Sequence, residues 1–116
     1  MLGLVGLLVK LSPDVGSALS TLVHYLHLHV RGAVMDLGYL RRVLELSDRH
    51  GFIVASDECY SEIYCDEATP PLGALQAASR LGRRDFARLV VFSSLSKRSN
   101  APGMRSGFVA GDAELL

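Results

Sequence analysis

The chain contains no tryptophan, two cysteines, four prolines and no excess of either charge among its 116 residues. Each shortage removes a class of protein. Two cysteines, Cys59 and Cys65, are too few for a disulfide framework, and their spacing fits no common zinc motif. They read as reduced, buried or partly buried thiols. Lysine plus arginine equals aspartate plus glutamate at 12 each, so no bulk field draws nucleic acid or an anionic membrane. Neither a P-loop nor a G-x-G-x-x-G occurs, which leaves nucleotide binding without support. The apolar run from Met1 to Val9 is broken by Gly3 and Gly6 and ends at Lys10, too short to span a bilayer. It lacks a positive n-region and a small-residue cleavage site, so the expectation is a cytoplasmic chain with no signal peptide.

What is present is globular. Apolar residues make up 49% and charged residues 21%, a balance that excludes a disordered chain and suits one domain or part of one. Residues 1–31 differ from the rest. Leu19, Leu22, Val23 and Leu26 fit a helical stripe, whereas His27 to Val30 alternate like a strand. His24, His27 and His29 invite a metal reading, but no single helix or strand geometry joins all three, and no carboxylate or cysteine lies close in sequence.

From Asp36 the signals sharpen. Asp36 is a good N-cap, Leu40, Val43, Leu44 and Ser47 share a face, and Gly51 suits the residue after a helix, which predicts a helix over 37–50. Phe52 to Ala55 reads as a strand buried on both faces, ending in Ser56-Asp57-Glu58. Pro70-Pro71 precede a predicted helix over 72–81, closed by Gly82. Leu89 to Phe92 is a second buried strand, 95–103 a polar loop, 106–110 a third strand, and Asp112 the N-cap of a further helix. Helices alternating with buried strands predict an α/β layered sheet.

Two strand ends carry unusual polar groups, and ligands of open α/β sheets gather at the carboxyl ends of strands. One end offers Asp57 and Tyr60; the other offers Ser94, Ser96 and Lys97, followed by Asn100 and Arg105. Lysine is the side chain that forms an imine with an aldehyde. A nearby cation lowers the pKa of its amine, and an arginine fork also suits a phosphate. A carboxylate facing a pyridinium nitrogen keeps it protonated, which makes the ring an electron sink. Taken singly, Lys97 reads as a solvated lysine, Asp57 as a turn residue, Tyr60 as half-buried packing and Arg105 as a surface cation. Their joint spacing favours a phosphorylated, nitrogen-containing aromatic cofactor.

SDECYSEIY (56–64), PPLGALQAA (70–78) and VVFSSLSKRSNAPGMRSGFVAGDAELL (90–116) resemble the fold-type I, class I/II aminotransferases, and among them succinyldiaminopimelate aminotransferase of bacterial lysine biosynthesis. The resemblance covers residues 32–116. It implies part of a three-layer α/β/α large domain with a mostly parallel sheet. It implies pyridoxal 5'-phosphate as cofactor, with Lys97 carrying the internal aldimine and moving the proton between substrate Cα and cofactor C4′. Asp57 would pair with the pyridine nitrogen, Tyr60 with the phenolic oxygen, and Ser94 and Arg105 with the phosphate. The implied reaction is a ping-pong amino transfer from an amino acid such as N-succinyl-diaminopimelate to 2-oxoglutarate, in a family that builds its site across a homodimer.

The family's N-P-x-G motif is matched only at Gly32, after His29-Val30-Arg31, so residues 1–31 are expected to reflect a frame slip or a misassigned start. The family also brings a phosphate-binding loop, a ring-stacking aromatic and a carboxylate-binding arginine from segments not found here, so the chain is expected to hold part of a site and not to transaminate alone. Three competing readings remain: an inactive remnant, another enzyme of the fold such as a β-lyase, and a serine acyl-enzyme suggested by S-x-x-K at Ser94 to Lys97. The last lacks its companion S-D-N and K-T-G motifs.

Overall fold

A computed structural model describes residues 7–10, by their backbone, and residues 35–116. The three histidines and the ambiguous stretch at 19–30 lie outside the described residues. Helix α1 (Leu37–His50) starts where expected: Asp36 has extended backbone angles, and its Oδ1 accepts a hydrogen bond from Tyr39 N at 2.7 Å. It stops at Gly51, whose φ of 70° turns the chain and whose N–H donates to Ser47 O at 2.8 Å. Leu40, Leu44 and Ser47 form its buried stripe.

Strand β2 (Ile53–Asp57) follows, then α2 (Ala74–Arg80), β3 (Leu89–Ser94), the one-turn helix α3 (Leu95–Arg98), a 3-10 turn at Pro102–Met104, and β4 (Gly107–Gly111). Together with β1 (Leu7–Lys10) they form a four-stranded sheet in the order β1-β2-β3-β4. β2 and β3 run parallel, from Val54 opposite Leu89 to Asp57 opposite Phe92. β1 is antiparallel to β2, and β4 is antiparallel to β3. The α/β class is as expected, but the described sheet is mixed rather than mostly parallel. A right-handed crossover over α2 suits parallel neighbours, whereas the short connection from β3 to β4 folds straight back.

Both helices lie over one sheet face. Val54, Leu89 and Val91 meet Leu40 and Leu44 of α1 and Ala74, Ala77 and Ala78 of α2 in a single core cluster. The alanines let α2 approach the sheet closely. Of the expected three layers, the described residues supply the sheet and this one helical layer. On the opposite face Phe92 is 44% exposed and Val109 45% exposed, so β3 is buried on both faces only at its start.

Three further expectations change. The 72–81 helix is shorter because Gly73 remains extended, with φ −72° and ψ 151°. The polar loop at 95–103 contains α3, nucleated by Ser94, whose Oγ accepts from Ser96 N at 3.1 Å. Asp112 heads a turn, with no helix formed by the four residues that follow it. It is buried, its Oδ2 accepts from Arg88 N at 2.6 Å and its Oδ1 from Glu114 N at 2.8 Å, so it ties the entrance of β3 to the exit of β4. At the same end of the sheet, Asp48 of α1 binds Arg83 at 2.5 and 2.9 Å and Arg88 at 2.6 Å, which fastens α1 to the 81–88 connection.

Ser47 is fully buried and its Oγ donates to Phe52 O at 2.5 Å, so Ser47→Ala strands a buried carbonyl; urea unfolding should show a loss of about 1–3 kcal/mol. Asp48 is held below the usual carboxylate range chiefly by its hydrogen bond from Arg83, and Asp112 by backbone N–H groups of Arg88 and Glu114. Their contribution to stability is complete above the ordinary aspartate value of 3.8 and is lost as pH falls through the lower folded values. Denaturant midpoints should therefore hold steady from neutral pH toward 5 and drop below about 4, less steeply in Asp48→Asn and Asp112→Asn chains.

Candidate functional site

The parallel pairing of β2 and β3 brings their carboxyl ends side by side. Asp57 is the last residue of β2 and stands opposite Phe92; Ser94, two residues further along, ends β3 on the same sheet face. The pairing continues past the strand, where Glu58 N donates to Phe92 O at 2.8 Å. Asp57 Oδ1 accepts from Cys59 N at 3.1 Å, which folds the chain into the turn that carries Tyr60. Lys97 of α3 reaches back over this turn, with its Nζ 6.0 Å from the centroid of the Tyr60 ring.

Of the five expected site residues, the structure thus joins Lys97 to Tyr60 and puts Asp57 and Ser94 on adjacent strand ends. Arg105 arrives by a different route. The 3-10 turn ends on it in a left-handed conformation with φ 47°, and the next residue returns to β3: Leu95 N donates to Ser106 O at 3.1 Å. Ser94 Oγ also reaches Ser106 O, at a long 3.5 Å. Arg105 is exposed. A cleft of about 330 Å³ lies on the helix-covered side, between Val91, Phe108 and the 61–76 region, and none of the five residues lines it.

The donor set suits pyridoxal phosphate. A lysine amine, a carboxylate, a phenol, a hydroxyl and a guanidinium occur within two neighbouring strand ends and their connections, one each for the aldehyde, ring nitrogen and phenolic oxygen of the cofactor and two for its phosphate. Among the described residues, the Ser94 hydroxyl donates only a long bond, to Ser106 O, so its proton is available to a stronger acceptor such as a phosphate oxygen.

Two neighbours escaped the sequence reading. Glu58 Oε1 accepts from Ala74 N at 2.7 Å and from Ser56 Oγ at 3.1 Å, linking the Asp57 turn to α2. Arg98 stacks 5.9 Å from the Phe108 ring centroid and lies 3.7 Å from Glu62. Each has a partner at least ten positions away, Ala74 for Glu58 and Phe108 and Glu62 for Arg98, which local patterns do not reveal. The Cys59 thiol is pushed up to about 11 by burial and by Asp57 beside it, so it stays protonated at pH 8. Iodoacetamide at that pH should label exposed Cys65 well before Cys59, and Asp57→Asn should speed Cys59 labelling; equal rates at both thiols in the unchanged chain would contradict this.

Comparison with known proteins places the chain in a family. Residues 22–116 match the family model described as aminotransferase class I and II. A probable aminotransferase of Mycobacterium tuberculosis is 38% identical over 85 residues, which cover 73% of this chain and 19% of that protein. An LL-diaminopimelate aminotransferase of Maridesulfovibrio salexigens is 38% identical over 68 residues, covering 59% of this chain and 16% of that protein. A crystal structure of an aminotransferase from Neisseria meningitidis superposes with a TM-score of 0.68 at 64% identity, over 73% of this chain and 21% of that one. The chain spans about a fifth of the length of the curated relatives it matches. On sequence and on fold, the chain belongs to the class I and II aminotransferases.

Proposed function

We propose that this chain is the cofactor-anchoring portion of a pyridoxal-phosphate-dependent aminotransferase of the cytoplasm. Its amino donor is of the N-succinyl-diaminopimelate type, its acceptor 2-oxoglutarate, and its whole assembly a homodimer. The observation that carries the reading is the convergence of Asp57, Tyr60, Ser94 and Lys97 at the carboxyl ends of two parallel strands, with the Lys97 amine 6.0 Å from the Tyr60 ring. The likeness to LL-diaminopimelate aminotransferases supports a donor of diaminopimelate chemistry and a place in lysine biosynthesis.

Pyridoxal phosphate supplies an aldehyde and an electron-accepting ring that stores the electron pair left when a substrate Cα–H bond breaks. The chain's residues do the rest. The Lys97 amine holds the aldehyde carbon and, once released, moves the proton at the substrate Cα. Asp57 keeps the ring nitrogen protonated by presenting a carboxylate to it. The Tyr60 hydroxyl donates to the ring oxygen. Ser94 and Arg105 bind the phosphate, the first as a hydroxyl donor already oriented by its bond from Ser96 N, the second as a planar fork.

The visible absorption of the full chain titrated with pyridoxal phosphate tests this. A band above that of free cofactor should form, and Lys97→Ala should abolish it. A band of equal strength in Lys97→Ala would refute the assignment. Asp57→Asn should weaken cofactor binding by about tenfold, the loss of one charge-assisted contact.

A further inference from the structure

Among the described residues, Glu58 holds a position that the proposed chemistry does not use. We propose that Glu58 is a positioning residue: its carboxylate fastens the far end of the 59–73 loop and so holds Tyr60 beside Lys97. The role in cofactor binding rests on the function proposed above; the fastening itself does not.

Glu58 is tied at every polar atom the backbone gives it. Its N–H donates to Phe92 O at 2.8 Å and its carbonyl accepts from Ser61 N at 3.1 Å, so its main chain is fixed to β3 and to the turn. Its side chain then crosses to the other end of the loop. Oε1 accepts from Ala74 N at 2.7 Å, sixteen residues on, and from the Oγ of fully buried Ser56 at 3.1 Å.

The loop is built to receive that carboxylate. Gly73 precedes α2 with no side-chain cap of its own. A Cβ on Gly73 would lie 2.9 Å from Glu58 Oε2, closer than a carbon and an oxygen tolerate. The bare glycine therefore admits Glu58, which serves as the missing cap and puts negative charge at the helix start. One side chain thus closes a loop whose own hydrogen bonds near Tyr60 are local, such as Ile63 N to Tyr60 O at 3.0 Å. Releasing it frees the loop to spread its conformations, and Tyr60 with it.

Hydrogen exchange and cofactor titration on the full chain test the proposal together. In Glu58→Ala, the Ala74 amide and the 59–73 amides should exchange about tenfold faster. Pyridoxal phosphate affinity should fall by about tenfold, and the pH midpoint of the bound-cofactor band should move, which a change in global stability alone would not do. Glu58→Gln keeps the acceptor oxygen and should restore both readouts to within about twofold. Gly73→Val, whose branched carbons reach further into the space of the carboxylate than one Cβ does, should reproduce Glu58→Ala.

Unchanged Ala74 protection in Glu58→Ala overturns the fastening. Lost protection with unaltered affinity and midpoint overturns the positioning role. Should Glu58→Ala fail to fold, a folded Gly73→Val chain that has lost Ala74 protection but keeps native affinity and midpoint overturns it instead. The cofactor reading fails separately: a band absent from the unchanged chain, or surviving Lys97→Ala, removes that function, while Ala74 exchange still decides the fastening because it needs no cofactor.

Discussion

The parallel pairing of β2 with β3 is the constraint on which the rest depends. It sets Asp57 opposite Phe92 and leaves Ser94 two residues further along, so two polar strand ends open at one edge of the sheet. A parallel pair cannot be joined by a tight turn, so the chain between Asp57 and Leu89 must cross over the sheet and return. That crossover is where α2 lies and where Tyr60 is carried. A slip of one residue between these strands would turn Asp57 to the helix-covered face and remove it from Ser94.

The two ends of the sheet are secured by different chemistry. Away from the candidate site, charge does the fastening: Asp48 joins α1 to Arg83 and Arg88, and Asp112 joins β4 to the entry of β3. At the candidate site end, backbone N–H groups bound to the Asp57 and Glu58 carboxylates and to the Ser94 hydroxyl close the turns, and Lys97 and Arg105 remain exposed. Among the described residues neither cation is spent on an ion pair, which suits the phosphate and aldehyde of the proposed cofactor.

The sequence was most legible where structure is local. Asp36 and Gly51 announce the limits of α1 because caps act within a turn. Asp57, Tyr60, Ser94 and Lys97 could be grouped because each sits within five residues of a recognisable apolar strand. Illegible features depend on distant partners. Phe92 reads as buried from its run of apolar neighbours, yet it is 44% exposed, on the sheet face opposite α1 and α2. Asp112 has the look of a helix cap and does accept from Glu114 N, but its second partner, Arg88 N, lies 24 residues earlier. Glu58 looked like polar strand punctuation, because only the fold puts the start of α2 against it.

The return through β4 shows how a packing requirement reaches the chemistry. An added Cβ on Gly107 would lie 2.5 Å from Ser93 O, so only glycine lets β4 begin this close to β3. That approach places Ser106 O within reach of Leu95 N and Ser94 Oγ. The same approach fixes where the preceding residue, Arg105, leaves its left-handed turn. A side chain at 107 would push β4 outward, and Ser106 and Arg105 would move with it. The missing carbon at 107 thus sets how closely the backbone around Ser106 returns to Ser94 and Leu95.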